Sequence, residues 1–229
     1  MRILFIRHGE PDYVKDCLTE RGKKQAERAS QRLQSEGIDK IYSSPMGRAR
    51  ETAEFTAKRL DLPITILDYM HEVDWGGEGI PAEGHLWTLS NRMMEEGFDP
   101  FKQDWREHPY FKKNTVMDYY DRLGDSFDEL LLSYGYRQEG SRFFCTTDSE
   151  DTIAIFSHGG SGACVLSRIL SLPFPYMLCV LPYAFTSIII VELPVRKDTY
   201  VHARLELFND AAHVYDISDG LKLQQKSIY

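Results

Sequence analysis

Two arginines and two histidines stand where an anion could be held. Arg7 and His8 follow the apolar run Ile3–Ile6, Arg48 lies in "SSPMGRA" after "DKIYSS", and His158 follows "TIAIFS" and precedes Gly159-Gly160. Charge delivered at the exit of a buried strand is costly unless something anionic meets it. Arginine forks match phosphate oxygens in pairs. Arg48 in a first helical turn, and two glycines opening a helix, would bring backbone N–H groups toward the same anion. Singly, each residue has a plainer reading. Arg7 could pair with a carboxylate, Arg48 could be solvated beside Arg50, and His158 could simply end a strand. Their recurrence at successive strand ends is what points to one cationic pocket.

The elements that would position them alternate between strand and helix. After the strand Arg2–Ile6, "TERGKKQAERASQRLQSEG" reads as a helix with Thr19 as cap and Gly37 as stop. "DKIYSS" is a short strand. "PMGRARETAEFTAKRL" is a helix with Pro45 in its first turn and Met46, Ala49, Ala53, Thr56 and Leu60 on one face. "PITIL" is a third strand. The rhythm then breaks: residues 75–115 hold all three tryptophans, and the stretch Gly84–Glu96 could be helical. Its size and polarity suit an inserted cap better than a separate domain. From Val116 to Tyr134 the apolar spacing is helical. "TIAIFS" is a buried strand, "GSGACVLSRILS" a helix and "FTSIIIVEL" a β-branched strand. "YVHARLELF" alternates and is expected to pair as a hairpin with one wet face. The fold class is therefore α/β: a three-layer α/β/α sandwich with a mostly parallel central sheet and an inserted cap. One domain would span residues 1–229, with the cap at about 75–115. In such sheets the active site lies beyond the carboxyl ends of the strands.

Composition narrows the partners. A net charge of −8 argues against nucleic acid, which favours basic faces. The balance is uneven: His71–Pro109 carries nine acidic residues against three basic ones. The four cysteines have neither C-x-x-C spacing nor a histidine at ligand distance, so reduced thiols and no metal site are expected. "MRILFIR" is too short and too charged for a signal peptide. The uncharged stretch Ile169–Val191 is long enough to span a bilayer, but Pro173, Pro175 and Pro182 break it. It reads as helix end, loop and central strand. A cytoplasmic protein without a membrane span is expected. Oligomeric state is open, a homodimer included.

On these motifs the sequence resembles the histidine phosphatase (phosphoglycerate mutase-like) superfamily. "FIRHGEP", "LTERGKKQAERAS", "IYSSPMGRARETA", "FSHGGSGACVL" and "FNDAAHV" carry the likeness across nearly the whole chain. "HEVDWGGEG" resembles the family's acid-bearing segment, with Met70 where leucine is usual. The resemblance implies a covalent mechanism without cofactor. His8 would become a phosphohistidine, with Arg7, Arg48, His158 and Gly159 holding the phosphoryl oxygens. Glu72 would protonate the leaving oxygen and then activate water. From the residues alone, Glu10, Asp74 and Glu78 compete with Glu72 for that role.

Three functions fit. The first is a metal-independent phosphatase acting on a small phosphorylated metabolite. The second is a mutase, whose usual Ser-x-Trp-Asn after "RHGE" is replaced here by "PDYVKD". The third is a phospholigand-binding module without activity. An acidic, aromatic cap would disfavour highly anionic substrates such as bisphosphates. Trp75, Trp87 and Trp105 would either roof the pocket or form a local cluster.

Overall fold

The computed structural model describes residues 1–81 and 85–218. The first half of the chain forms β1 (Arg2–Arg7), β2 (Pro11–Asp12), β3 (Cys17–Leu18), α1 (Glu20–Leu33), β4 (Lys40–Ser43), α2 (Gly47–Leu60) and β5 (Ile64–Ile66). Three helices follow, α3 (Leu86–Glu95), α4 (Pro109–Lys112) and α5 (Val116–Ser133). The hairpin strands β6 (Tyr136–Glu139) and β7 (Arg142–Cys145) then lead to β8 (Thr152–Ser157). The chain continues through α6 (Gly159–Ile169), α7 (Phe174–Val180), β9 (Ile188–Glu192), β10 (Thr199–Val201) and β11 (Arg204–Asp210).

The central sheet has six strands in the order β11-β9-β1-β8-β4-β5. Pairings β1·β8, β8·β4 and β4·β5 are parallel, whereas β9 runs antiparallel to both β1 and β11. The period-two side-chain alternation of β1 sends its residues to opposite faces. Ile3 and Phe5 pack with Ile153, Ile155, Ile189 and Val191 against α5 and α6. Leu4 and Ile6 pack with Ala154, Phe156, Ile188 and Ile190 against Leu33 of α1 and Ala53 of α2. Each such fully buried side chain contributes roughly 1.5–3 kcal/mol. The result is the expected α/β/α sandwich.

Register sets the site. Arg7 lies opposite Ser157, and Ser43 opposite Phe156, so β1, β8 and β4 end side by side. The His8 N–H donates to Ser157 O (3.0 Å) and the Ser44 N–H to Phe156 O (2.9 Å), which carries both ladders one residue past the strands.

Several local expectations need correction. Thr19 does cap α1, its hydroxyl accepting from the Gly22 N–H at 3.0 Å. Gly37, at φ +68°, stands one turn beyond the helix end rather than at it. Pro45 precedes α2, whose N-cap is Met46; the Met46 N–H is already held by the Ser44 hydroxyl, so helical hydrogen bonding starts later. "YVHARLELF" is not one arm of a hairpin. It divides at His202-Ala203: β10 joins β7 and β6 in a separate three-stranded sheet, and β11 joins β9 in the main one. Alternation identifies a strand but not its neighbour. The uncharged stretch Ile169–Val191 is broken into the end of α6, the seven-residue α7 and most of β9. Among the described residues no helix is long and apolar enough to cross a membrane.

Between β5 and α5 the aromatic residues fall into two groups. Trp105 packs on Phe111, Tyr120 and Phe174, in continuity with the main core. Trp75 packs on His85 (ring centroids 4.7 Å apart) and edge-on to Trp87 (6.4 Å), immediately after Glu72-Val73-Asp74 in the chain.

Candidate active site

His8 is the first residue beyond β1 and is 1% exposed. Its Nδ1–H donates to the Gly9 carbonyl at 2.7 Å; since a carbonyl only accepts, Nε2 is left as the lone-pair nitrogen. The turn that aims it is crowded. A Cβ on Gly9 would lie 2.7 Å from the carbonyl oxygen of Gly22 in α1, so glycine is required where the loop meets that helix. The Gly9 N–H donates to Thr52 Oγ1 (3.0 Å), and the Thr52 hydroxyl donates to the Arg48 carbonyl (2.7 Å), which ties the His8 turn to α2.

His158 is the first residue beyond β8 and serves as N-cap residue of α6, fully buried. Its ring lies 5.1 Å from that of His8, and its Nε2 shares a 2.8 Å hydrogen bond with Ser44 Oγ, at the end of β4. Its Nδ1 is buried without a hydrogen-bond partner among the described residues. Arg48, 4% exposed in the first turn of α2, has a buried Nε with no partner among the described residues, while its Nη1 donates to Asp16 Oδ1 at 2.5 Å. Arg7 Nη1 donates to the Tyr183 carbonyl at 2.7 Å, and the guanidinium lies 4.4 Å from the centroid of the Phe185 ring. Phe185 also packs on His8, at 5.4 Å. The Tyr183 hydroxyl reaches the carbonyls of His158 (2.9 Å) and Gly159 (3.0 Å), so one buried tyrosine braces both the Arg7 and His158 strand ends.

Glu72 reaches the same edge from the loop after β5. Its Oε1 accepts from the N–H groups of Val73 (3.0 Å), Gly160 (3.0 Å) and Ser161 (3.2 Å), the last two in the first turn of α6. Its own N–H contacts Met46 Sδ at 3.3 Å. Gly160 has no room for a side chain: a Cβ there would lie 2.2 Å from Val73 and 2.6 Å from Glu72 Oε1. Gly159 is looser, with a Cβ position 3.4 Å from the Arg7 guanidinium carbon. The competing acids are placed otherwise. Glu10 is engaged by Thr19 and Arg21, Asp74 is exposed and bonds the adjacent Trp75 N–H, and Glu78 is exposed. The structure thus brings Arg7, His8, Arg48, Glu72, His158 and Gly159 to one sheet edge. Ser44, Thr52, Asp16, Tyr183 and Phe185 join them without having been singled out from sequence. Of these only Thr52 had a signal, standing four residues after Arg48 on one helix face.

Electrostatics follow from this crowding. Burial holds the His8 imidazole well below its ordinary value, with Arg7 and then Arg48 adding to the effect. Burial does the same to His158, joined by His8, Arg48 and Arg7. Both rings are therefore neutral near pH 7. A measurable consequence concerns stability. Below about pH 6.5 the unfolded chain protonates these histidines while the folded chain resists, so each costs up to about 1.4 kcal/mol per pH unit. The melting temperature in phosphate-free buffer should fall as pH drops from 6.5 toward 5, and saturating inorganic phosphate should restore part of it. An equal fall in the His8→Gln/His158→Gln double variant would assign the loss to other groups.

Known proteins share this arrangement of segments. The family model described as histidine phosphatase superfamily (branch 1) matches residues 3–204. A probable phosphoglycerate mutase of Cronobacter sakazakii is 29% identical over 183 residues, 76% of each chain. Phosphoserine phosphatase 1 of Hydrogenobacter thermophilus is 30% identical over 122 residues, covering 48% of this chain and 53% of that one. The Entamoeba histolytica phosphoserine phosphatase, solved with 3-phosphoglyceric acid, superposes with a TM-score of 0.63 at 23% identity, covering 93% of this chain and 98% of its own. A match that begins inside β1, takes in every strand end described above and closes at the start of β11 places this chain in the histidine phosphatase superfamily.

Proposed function

We propose that the protein is a phosphatase that hydrolyses a phosphate monoester of a small metabolite through a phosphohistidine. The observation that carries this reading is the pairing of a neutral His8, its Nε2 lone pair left available, with two buried polar atoms, Arg48 Nε and His158 Nδ1, that have no partner among the described residues. Unpaired buried polar groups cost roughly 1–3 kcal/mol each, and a phosphoryl group would satisfy both.

In this reading Nε2 of His8 attacks phosphorus in line, and the bond from phosphorus to the ester oxygen breaks. Arg7, Arg48, His158 and the Gly159 backbone hold the equatorial oxygens and offset their charge. Glu72, its Oε1 fixed by three N–H groups, gives a proton to the departing oxygen from its other oxygen. Water then attacks phosphorus, Glu72 takes back a proton, and the electron pair of the P–N bond returns to Nε2. Residues 75–115 would cap the site, with Trp75 and Trp87 near the leaving group and their acidic surroundings disfavouring a second phosphate. Two features favour hydrolysis over mutase chemistry. "PDYVKD" replaces Ser-x-Trp-Asn, and the cap is acidic where a mutase must retain a bisphosphorylated intermediate.

The deciding experiment incubates purified protein, with chelator present, against a panel of phosphate monoesters and measures released phosphate. Release from at least one small ester is expected. Interconversion of phosphoglycerates without phosphate release would establish the mutase instead.

A further inference from the structure

Arg48 is already occupied by an anion that belongs to the chain. Asp16, between β2 and β3, adopts a left-handed backbone (φ +51°) that few non-glycine residues take. Its Oδ1 accepts from Arg48 Nη1 at 2.5 Å and its Oδ2 from the Gly47 N–H at 2.7 Å. These partners are the first two residues of α2, a helix whose N-cap side chain makes no capping hydrogen bond. The Asp16 backbone presses on the same point, since a Cβ on Gly47 would lie 2.1 Å from the Asp16 carbonyl oxygen. The exposed Tyr13 ring, three residues earlier, lies 5.5 Å from the Arg48 guanidinium. A helix N-terminus with a buried guanidinium is what binds phosphate, and here it binds a carboxylate.

We propose that Asp16 is an internal counter-anion that competes with the phosphoryl group for Arg48, so that it weakens phosphate binding and speeds its release. This rests on the phosphatase reading above. One arm of Arg48 stays on Asp16 and keeps the guanidinium oriented, while Nε and the remaining amino group take up phosphate oxygens. The carboxylate, about 40% exposed at its side chain, then stands beside a phosphate of like charge. When phosphate leaves, Asp16 balances Arg48, which would otherwise be a buried charge without a partner. The device suits a hydrolase, whose second product must go before the next turnover.

Asp16→Asn keeps an oxygen to accept one of these hydrogen bonds and removes the charge. Inorganic phosphate is the probe, its dissociation constant measured by calorimetry on resting protein and its inhibition constant measured during hydrolysis. Asp16→Asn should bind phosphate about tenfold more tightly, with kcat lowered and KM lowered with it. Asp16→Ala should also bind phosphate more tightly but lose more in kcat, because Arg48 is no longer held. Unchanged or weaker phosphate binding in Asp16→Asn, with melting and kcat near the parent, would make Asp16 a simple brace for Arg48 and overturn the proposal. Parent protein that releases phosphate from esters while both Asp16 variants bind phosphate no better refutes this proposal alone. Parent protein that neither binds phosphate nor releases it refutes the phosphatase reading beneath it.

Discussion

His8→Ala is expected to lower hydrolysis of any ester the protein turns over by on the order of 10⁴–10⁶-fold, the scale seen when a covalent nucleophile is removed. The site holds no ready substitute. The Nε2 of His158 is engaged with Ser44, and in the proposed mechanism its Nδ1 carries the hydrogen that meets a phosphoryl oxygen; arginines and backbone amides have no lone pair to offer. The same variant should lose a covalent label. Parent protein quenched in alkali during turnover should retain phosphate on His8, whereas acid should destroy it, as expected of a phosphoramidate. Folding should survive the change. Among the described residues the imidazole hydrogen-bonds only the neighbouring Gly9 carbonyl, and its neighbours Arg7 and Arg48 are braced by Tyr183 and Asp16. A melting curve checks this. Parent-like turnover in His8→Ala, or label found on His158, would overturn the assignment of the nucleophile.

Glu72→Gln should slow phosphorylation by alkyl phosphates about 10²–10⁴-fold, the usual span of acid–base catalysis. An alkyl alcohol leaves poorly as an alkoxide and needs a proton. p-Nitrophenolate leaves readily as an anion, so the same step with p-nitrophenyl phosphate should suffer far less. The geometry makes this substitution informative. A glutamine carbonyl oxygen can accept the same three N–H groups that hold Oε1, so the loop and α6 stay in register while the proton is lost. The comparison belongs on the single-turnover step, because in the proposed mechanism water attack on the phosphohistidine would also use Glu72. Equal losses with both esters would show that Glu72 only positions α6. Leaving-group dependence in Asp74→Asn or Glu78→Gln instead would move the acid along the segment.

The strands that carry the site were legible because burial on both faces leaves a strong local pattern. "ILFI" and "IAIF" are apolar at every position, and the residues that follow them must sit at the sheet edge. Helix spacing was equally clear in α5, where Val116, Tyr119, Tyr120, Leu123, Phe127 and Leu131 all prove buried. The β6–β7 hairpin leaves a weaker pattern. Its turn, Gly140-Ser141, is a fair signal, with Gly140 at φ +63°, but Arg137, Gln138 and Glu139 dilute the alternation on one side of it. The split of "YVHARLELF" is beyond any periodicity argument, since β10 and β11 join two different sheets, and register shifts in β11 leave Leu205 exposed despite the alternation.

By itself the sequence determined which side chains could do chemistry and that they stand at strand ends. Residue type and the two-residue period are local properties, and parallel order follows from alternating strands and helices. Tertiary structure decided how those side chains are poised. The Gly9 carbonyl on His8, Ser44 on His158, Tyr183 bracing two strand ends and Asp16 on Arg48 are contacts between segments far apart in the chain, apart from the first. The same distinction separates Glu72 from Asp74, two acids alike in type and two residues apart. Only Glu72 meets the amides of α6, because the loop after β5 packs Val73 against Gly160 and turns that carboxylate inward. Burial then does what no residue can do alone: it lowers the proton affinity of both histidines, and packing, not sequence distance, sets that burial.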